Sequence, residues 1–363
     1  MKYFFIKTFG CQANKSDSER IAGDYIARGF KETSNWKKAN EIVVNTCSVR
    51  QRAEDRVKGF LLNIEKYFGS NRPKIILTGC MLHHQKKNLL KLLPQIDQIL
   101  PINKVGFNSP AIRKDKLHAF VPISSGCNSF CTYCIVPYSR GREISRPMED
   151  IVSEVKDLVK NGYQEITLLG QNVNSYGLEK TNIKTRKSTL SKPKSSPPFV
   201  NLLQEISKFK DLKTINFLTA NPWDFHPALI KEITQNRKIN RFIHLPVQSG
   251  SNRILKLMNR GYTAQNYIKL INQIKVAVPN ATFGTDIIVG FPSETEKDFQ
   301  DTVNLTKKAG FQVAFIARYS PRPGTVAYRL YQDNIPPQIK KKRWQILENL
   351  INKPHLSTRP TIR

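Results

Sequence analysis

Six cysteines are the residues of this chain whose type and spacing most directly indicate chemistry. Three of them, Cys127, Cys131 and Cys134, form a compact C-x3-C-x2-C run. Such a run offers three thiolates, which can hold a four-iron cluster and leave one iron without a protein ligand. Because an iron with an open coordination position can bind and activate a small molecule, the run predicts a catalytic iron–sulfur cluster.

A structural zinc site is the alternative interpretation of this run. Structural zinc sites close with four ligands, yet neither His118 nor any other histidine stands at a usual zinc-ligand spacing from the run. Disulfides are disfavoured too, because the apolar run Tyr3–Ile6 stops at Lys7 and does not resemble a secretory signal. We therefore expect a cytoplasmic protein whose reduced thiols bind metal. No apolar stretch approaches the roughly 20 residues of a spanning helix, so no membrane association is expected.

The other three cysteines, Cys11, Cys47 and Cys80, lie far apart in the sequence but in similar settings. Each follows a short β-branched or aromatic run, at residues 2–8, 41–45 and 74–78. Helical patterns separate the runs, including a capping-box sequence at 16–19 that leads into residues 20–28, and an amphipathic stretch at 48–67.

This alternation predicts an α/β fold with a doubly wound parallel sheet. Parallel strands end at one edge of such a sheet, where ligands usually bind. Cys11, Cys47 and Cys80 could therefore meet on a second cluster, although each taken alone could be a small buried apolar residue.

From residue 117 onward a second series of strands and helices begins. Six apolar runs are predicted strands, at 120–123, 165–169, 214–218, 242–245, 282–289 and 312–317. Six βα-like units predict a partial (β/α)6 barrel rather than a full barrel of eight. Polar motifs follow every predicted strand, and the catalytic groups of such barrels lie on that face.

The chain is strongly basic, with 58 Lys and Arg against 28 Asp and Glu and a formal net charge of +30. A charge of this size favours a polyanionic partner, of which nucleic acid is the natural one. The alternative is a generally Lys-rich composition without a binding face. Residues 181–198 contain few apolar side chains, which predicts a mobile surface loop.

Nine ordered motifs resemble those of the radical S-adenosylmethionine methylthiotransferases. The resemblance extends to about Tyr328, and its motifs are Thr8–Asn14, Asn45–Arg50, Thr78–Cys80, Cys127–Pro137, Arg140–Pro147, Leu168–Asn174, Leu245–Gly250, Asp286–Pro292 and Tyr319–Thr325. Three of them, at 9–12, 48–55 and 171–174, are most similar to the MiaB-type branch. That branch adds a methylthio group to carbon 2 of N6-isopentenyl-adenosine beside the anticodon of tRNA.

The resemblance implies two 4Fe-4S clusters and S-adenosylmethionine as cofactors. Cys127, Cys131 and Cys134 would hold the cluster that binds and cleaves S-adenosylmethionine to a 5′-deoxyadenosyl radical, whereas Cys11, Cys47 and Cys80 would hold an auxiliary cluster that carries the sulfur. We expect six further residues to bind the cofactor: Tyr133, Gly170, Gln171, Asn172, Gln248 and Gly290. Catalytic residues beyond the cluster ligands are not identified.

The resemblance also implies tRNA as a partner, together with an electron donor such as a flavodoxin or ferredoxin, and we expect a monomer. Five arginines would face the RNA: Arg140, Arg142, Arg146, Arg318 and Arg322. The alternative is that they are charges on a solvated rim.

Three segments are predicted: an N-terminal methylthiotransferase domain at 1–112, the radical barrel at 113–335, and a tail at 336–363. Members of the family generally continue into a small RNA-binding β-barrel, the TRAM domain, which we expect to be absent here. Two other functions stay open. One is methylthiolation of threonylcarbamoyl-adenosine or of a ribosomal-protein aspartate, and the other is a non-catalytic iron–sulfur RNA-binding relative.

Overall fold

A computed structural model describes residues 1–48, 51–107, 109–179 and 196–357. Most of the predicted surface loop at 181–198 lies outside the described residues. Within the described residues, no helix is both long and apolar enough to cross a membrane.

The N-terminal part is a five-stranded parallel sheet with the order β2-β1-β3-β4-β5. Its strands β1 to β5 are Tyr3–Thr8, Lys31–Glu32, Glu41–Thr46, Lys74–Gly79 and Gln98–Ile99. Helices α1 to α3 are Gln12–Ala27, Gln51–Phe68 and Lys86–Leu92. This is a doubly wound order, so the predicted fold of this part is confirmed.

Two hydrophobic clusters explain why the central strands are buried on both faces. Ile42 and Val44 of β3 pack in one cluster with Leu61 of α2, whereas Val43 packs on the opposite face with Tyr25 of α1. Because successive side chains of a strand point to opposite faces, apolar residues at successive positions of β3 fit a strand covered by helices on both sides.

The second part contains six parallel strands in two three-stranded sheets, β6-β9-β10 and β11-β12-β13. An isolated parallel bridge joins Ile215 of the first sheet to Ile239, three residues before the first strand of the second sheet. The strands are His118–Pro122 (β6), Glu165–Leu169 (β9), Thr214–Phe217 (β10), Phe242–His244 (β11), Thr282–Val289 (β12) and Val313–Arg318 (β13). The predicted partial barrel is confirmed.

Helices and one small hairpin complete the second part. The hairpin pairs Ser124–Ser125 (β7) with Ile144–Ser145 (β8) in antiparallel orientation. Helices α4 to α12 are Val136–Ser139, Met148–Lys160, Pro198–Ser207, Pro227–Gln235, Asn252–Leu257, Ala264–Ala277, Glu296–Ala309, Val326–Leu330 and Pro337–Leu347. One continuous hydrophobic core lies between the strands and most of these helices.

The segment predicted as a tail packs against the barrel. Helix α12 places Trp344 against β13, where its indole N–H donates to the carbonyl of Ile316 at 3.1 Å. A π-helical turn, Glu348–Asn352, follows. The buried Asn352 amide then donates to the carbonyl of Ala314 and accepts from its N–H, both at 2.9 Å. Because β13 is the last strand of its sheet, these bonds satisfy backbone groups on its otherwise open edge.

This packing yields a first prediction, on stability. Asn352→Ala removes both bonds to Ala314 and should lower the free energy of unfolding by about 2–4 kcal/mol, because two buried backbone groups lose their partners. Urea denaturation followed by circular dichroism measures the change. Asn349→Ala, at an exposed position in the same π-turn, is the matched control and should change stability little. Equal unfolding midpoints for the two variants would show that the bonds of Asn352 do not stabilise the edge of β13.

Candidate functional site

The three isolated cysteines lie at the carboxyl ends of neighbouring strands. Cys11 follows β1, Cys47 follows β3 and Cys80 follows β4, and these strands are adjacent in the sheet. The order of strands reverses between β1 and β3, the position where open α/β sheets bind ligands. Helix α1 begins earlier than the capping-box pattern predicted, because Cys11 itself is its N-cap residue.

Buried side-chain hydrogen bonds connect the loops that carry Cys11 and Cys47. The Asn14 amide donates to Asn45 Oδ1 at 2.9 Å and to the carbonyl of Thr46 at 3.1 Å. The Asn45 amide donates back to the carbonyl of Asn14 at 2.8 Å. Since buried polar groups are costly to leave unpaired, this reciprocal pair fixes the two loops relative to each other.

Equivalent bonds connect the Cys47 and Cys80 loops. The Thr46 hydroxyl donates to the carbonyl of Thr78 at 2.6 Å and accepts from the N–H of Met81 at 3.2 Å. Gly79, with φ +93°, lies so close to the Cys47 loop that an added Cβ would be 2.3 Å from the carbonyl oxygen of Thr46. Only glycine permits this approach, so the backbone places both cysteines at one edge.

The cluster run Cys127–Cys134 follows strand β7 and folds back against Gly141 and Arg142, which lead into the return strand β8. The N–H of Cys127 donates to the carbonyl of Gly141 at 3.1 Å. Gly126, with φ +78°, precedes the first cysteine, and a Cβ there would lie 2.1 Å from the carbonyl oxygen of Arg142. The three cysteines are thus carried on a loop held at both ends by the hairpin.

Several N–H groups donate to the sulfur atoms of this run. The Asn172 amide lies 3.2 Å from Cys127 Sγ, and the backbone N–H of Ser129 lies 3.4 Å from the same atom. A guanidinium N–H of Arg260 lies 3.3 Å from Cys131 Sγ. Hydrogen bonds to cluster sulfurs tune the potential of iron–sulfur centres, so these donors fit thiolates that carry iron.

Arg260 was not predicted from the sequence. Its guanidinium lies over the rings of Trp223, at 4.7 Å, and Tyr262, at 5.2 Å, and donates to the carbonyl of Pro246 at 3.0 Å. No carboxylate among the described residues forms an ion pair with it. Arg260 is 129 residues from Cys131, and no local pattern connects two positions so far apart.

The chemistry of the thiols fits a cluster better than a single zinc ion. Burial raises the pKa of the Cys127 and Cys134 thiols, so iron must displace their protons to bind. Thiolates around one tetrahedral zinc lie about 3.8 Å apart, from zinc–sulfur bonds of about 2.3 Å. Among the described residues, only Glu54, His83 and His84 bring three donor atoms within 4.8 Å of one another. Neither cysteine trio meets that spacing.

The six residues predicted to bind the cofactor have different settings. Asn172 contacts a cluster cysteine, as described above. Gln248, buried with φ +68°, pairs with the neighbouring strand β12, and Gly290, with φ +69°, approaches the side chain of Lys340.

Gly170 and Gln171 follow β9, and Tyr133 packs in a small apolar cluster between the run and helix α11. All six lie in loops at the carboxyl ends of barrel strands or in the cluster run.

Three of the five predicted RNA-binding arginines are buried in ion pairs instead. Arg146 pairs with Glu154 at 2.6 Å, and Arg140 pairs with Asp17 at the same distance. Arg322 lies 3.9 Å from Glu54. Their side chains are only 5–6% exposed, so they do not offer a surface to RNA. Charged side chains are rarely buried without a partner, which explains these pairs.

The other two arginines are exposed. Arg142 lies over the ring of Phe130 at 4.3 Å, beside the cluster run. Arg318 ends strand β13, on the same carboxyl side of the barrel. Sequence spacing could not separate the exposed arginines from the buried ones, because the acidic partners of Arg140 and Arg322 lie in the N-terminal part.

Two family models match the chain. The radical SAM superfamily matches residues 121–306, which include the cluster run and most of the barrel. A family described as uncharacterized, UPF0004, matches residues 3–101, which include Cys11, Cys47 and Cys80. The gap between the two matches, residues 102–120, lies where the N-terminal sheet ends and the barrel begins.

Two solved structures share this fold at low sequence identity. A radical S-adenosylmethionine methyltransferase, TsrM from Kitasatospora setae, has a TM-score of 0.55 and 12% identity, over 90% of this chain and 77% of that one. The cobalamin-dependent S-adenosylmethionine radical enzyme OxsB has a TM-score of 0.56 and 10% identity, over 96% of this chain and 56% of that one.

Curated relatives are considerably more similar. A protein of Thermotoga petrophila is 42% identical over 96% of this chain and 81% of its own length. Proteins of Petrotoga mobilis and Desulforamulus reducens are 40% and 42% identical, over 96–97% of this chain and 80–82% of theirs. All three are named tRNA-2-methylthio-N(6)-dimethylallyladenosine synthase. The chain therefore belongs to the radical S-adenosylmethionine methylthiotransferase family in which these synthases are found.

Proposed function

We propose that this protein is a transferase that adds a methylthio group to carbon 2 of N6-dimethylallyl-adenosine in tRNA. One observation carries the proposal beyond the family likeness. Helix α4, which starts two residues after Cys134, packs against the turn Cys80–His83. The segment after one cysteine trio therefore contacts a turn that carries a cysteine of the other trio. This arrangement suits a reaction in which sulfur held at one site is transferred to a substrate activated at the other.

The reaction requires more than acid–base chemistry, because carbon 2 of the adenine carries no acidic proton. When bound, a cluster on Cys127, Cys131 and Cys134 supplies the electron that cleaves S-adenosylmethionine, and a second cluster supplies the sulfur. The protein's own task is to hold both sites and the cofactor in a fixed relation. The second cluster, on Cys11, Cys47 and Cys80, is part of this proposal.

Arg260 is proposed to bind the carboxylate of S-adenosylmethionine. Its guanidinium lies beside Cys131 and against the rings of Trp223 and Tyr262, without an acidic partner among the described residues. A positive charge beside the cysteine run would suit an anionic group of a cofactor bound at a cluster on these cysteines, and a charge-assisted bond of this kind is strong. Tyr133, Gly170, Gln171, Asn172, Gln248 and Gly290 stay proposed contacts of the same cofactor.

Arg142 and Arg318 are proposed to bind the tRNA backbone, and the net charge of +30 supplies long-range attraction. Both arginines are exposed on the side of the barrel where its strands end. The substrate adenosine reaches its site from this side. An electron donor such as a flavodoxin or ferredoxin and a monomeric state complete the proposal.

The division of labour between the two sites is tested with cysteine variants. Cys131→Ala should abolish formation of 5′-deoxyadenosine, because the iron that binds the cofactor loses its cluster. Cys47→Ala should still form 5′-deoxyadenosine but attach no methylthio group to tRNA. Anaerobic reconstitution followed by mass spectrometry of both products measures the two reactions. Normal methylthiolation by Cys47→Ala would contradict the proposed role of the N-terminal site.

The role of Arg260 is tested by cofactor binding. Arg260→Gln should raise the Kd for S-adenosylmethionine about 10- to 100-fold, corresponding to the loss of about 1.5–3 kcal/mol for a charge-assisted hydrogen bond. Equilibrium dialysis at matched iron content measures the Kd. The matched control is Arg253→Gln, since Arg253 is exposed and pairs with the carboxylate of Asp298 instead of a cysteine. An unchanged Kd in Arg260→Gln would exclude the interaction.

The RNA-binding face is tested by the salt dependence of affinity. Replacing Arg142 and Arg318 together by Gln should weaken tRNA binding and reduce the slope of log K against log salt by about one for each phosphate that the protein no longer neutralises. Filter binding between low and physiological salt measures the slope. Arg237→Gln, an exposed arginine at the opposite end of the barrel, should leave it unchanged. If both variants had the wild-type slope, these arginines would be ordinary rim charges.

A further inference from the structure

Two barrel arginines reach across to the N-terminal cysteines. Arg140 is the C-cap residue of helix α4, six residues after the last cysteine of the cluster run, and Arg322 lies in the loop after β13. Each pairs with a carboxylate of the N-terminal part: Arg140 with Asp17 on α1, and Arg322 with Glu54 on α2. Both guanidinium groups are therefore held at the boundary between the N-terminal part and the barrel.

Arg140 lies within electrostatic reach of two of the three thiols. Burial opposes its charge, but Asp17, Cys80 and Cys11 outweigh that effect and raise the pKa of its guanidinium. The packing of α4 on the turn that begins at Cys80 gives the same placement from the backbone. Arg140 therefore lies between one carboxylate, Asp17, and the loops that carry Cys11 and Cys80, so its charge faces that site as well as its ion-pair partner.

Arg322 lies on the Cys47 side of the same site, because its partner Glu54 also accepts a hydrogen bond from the hydroxyl of Ser48, the residue after Cys47. Glu54, Cys47 and Asp55 favour its charge, although burial has the larger effect and lowers its pKa. Pro321 and Pro323 flank it and restrict the loop. The hydroxyl of Thr325 donates to the carbonyl of Arg322 at 2.8 Å. The arginine is thus presented by a stiff loop rather than by a flexible surface segment.

Three iron-bound thiolates place negative charge in a partly buried site, and burying charge is costly unless it is compensated. We propose that Arg140 and Arg322 are positioning residues of the N-terminal site, which compensate the charge of Cys11, Cys47 and Cys80 when these carry iron. The site is then complete only when the barrel is in place. This inference rests on the proposed second cluster, and it assigns both arginines a role other than RNA binding.

The test measures iron and spectra after anaerobic reconstitution with iron and sulfide. Wild type should bind about eight irons per chain, as two four-iron clusters. Arg140→Gln and Arg322→Gln together should lose about half of that iron and the electron paramagnetic resonance signal of one cluster, while 5′-deoxyadenosine formation continues. Arg140→Lys should recover iron relative to Arg140→Gln, because it keeps the charge. Arg142→Gln, in the same loop but exposed, should keep full iron.

A purely structural role of these arginines is distinguished by Asp17→Asn. This variant breaks the ion pair with Arg140 yet leaves the guanidinium beside the thiols, so the proposal expects iron to be retained. Iron loss in Asp17→Asn equal to that in Arg140→Gln would overturn the proposal. Full iron together with weakened tRNA binding in the double arginine variant would also overturn it, in favour of an RNA contact.

The same assay separates this inference from the proposed second cluster. If Cys47→Ala binds as much iron as wild type, no second cluster exists and both claims fail. If Cys47→Ala loses half of the iron and the double arginine variant loses none, only the role of the arginines is wrong.

Discussion

The structure depends on one topological constraint: parallel strands all end at the same edge. The constraint operates twice, in the N-terminal sheet with Cys11, Cys47 and Cys80, and in the barrel with its cluster run and polar loops. Because each set of loops projects from the carboxyl ends of its strands, reactive groups from distant parts of the sequence are brought together. The two edges must in addition be held against each other.

Buried ion pairs between arginines and carboxylates hold the two edges against each other. Glu154 of the barrel binds Arg20 of α1 at 3.0 Å, and it also binds Arg113 and Arg146. A buried pair is strongly destabilised when one partner is removed, because the other charge stays buried. Such pairs therefore define the relative position of the two edges more strictly than apolar contacts alone would.

Much of this architecture could be predicted from the sequence. The strands β9 and β12 were predicted with the observed bounds, because their apolar residues form continuous runs between clear breakers. The placement of Cys11, Cys47 and Cys80 at strand ends followed from the same pattern. The two-residue strands β2 and β5 could not be predicted, since segments so short carry no periodicity. Helix α12 was missed because its charged surface gave no apolar stripe.

The site residues were predictable only where the sequence brings them together locally. The cysteine run is such a case. Arg260 is not such a case, because it contacts Cys131 from the distant loop between α8 and α9. The burial of Arg140, Arg146 and Arg322 depends on acidic partners that only the fold brings near. The sequence predicted that these arginines would face RNA, because charge alone does not distinguish a solvated side chain from a buried pair.

The central claim is that this protein methylthiolates N6-dimethylallyl-adenosine in tRNA. The most direct test is mass spectrometry of nucleosides from the bulk tRNA of a strain that lacks the gene. We expect the 2-methylthio derivative to disappear while its unmethylthiolated precursor accumulates, and we expect the wild-type gene, but not a Cys80→Ala variant, to restore it. Persistence of that nucleoside, or loss of methylthio-threonylcarbamoyl-adenosine in its place, would contradict the claim.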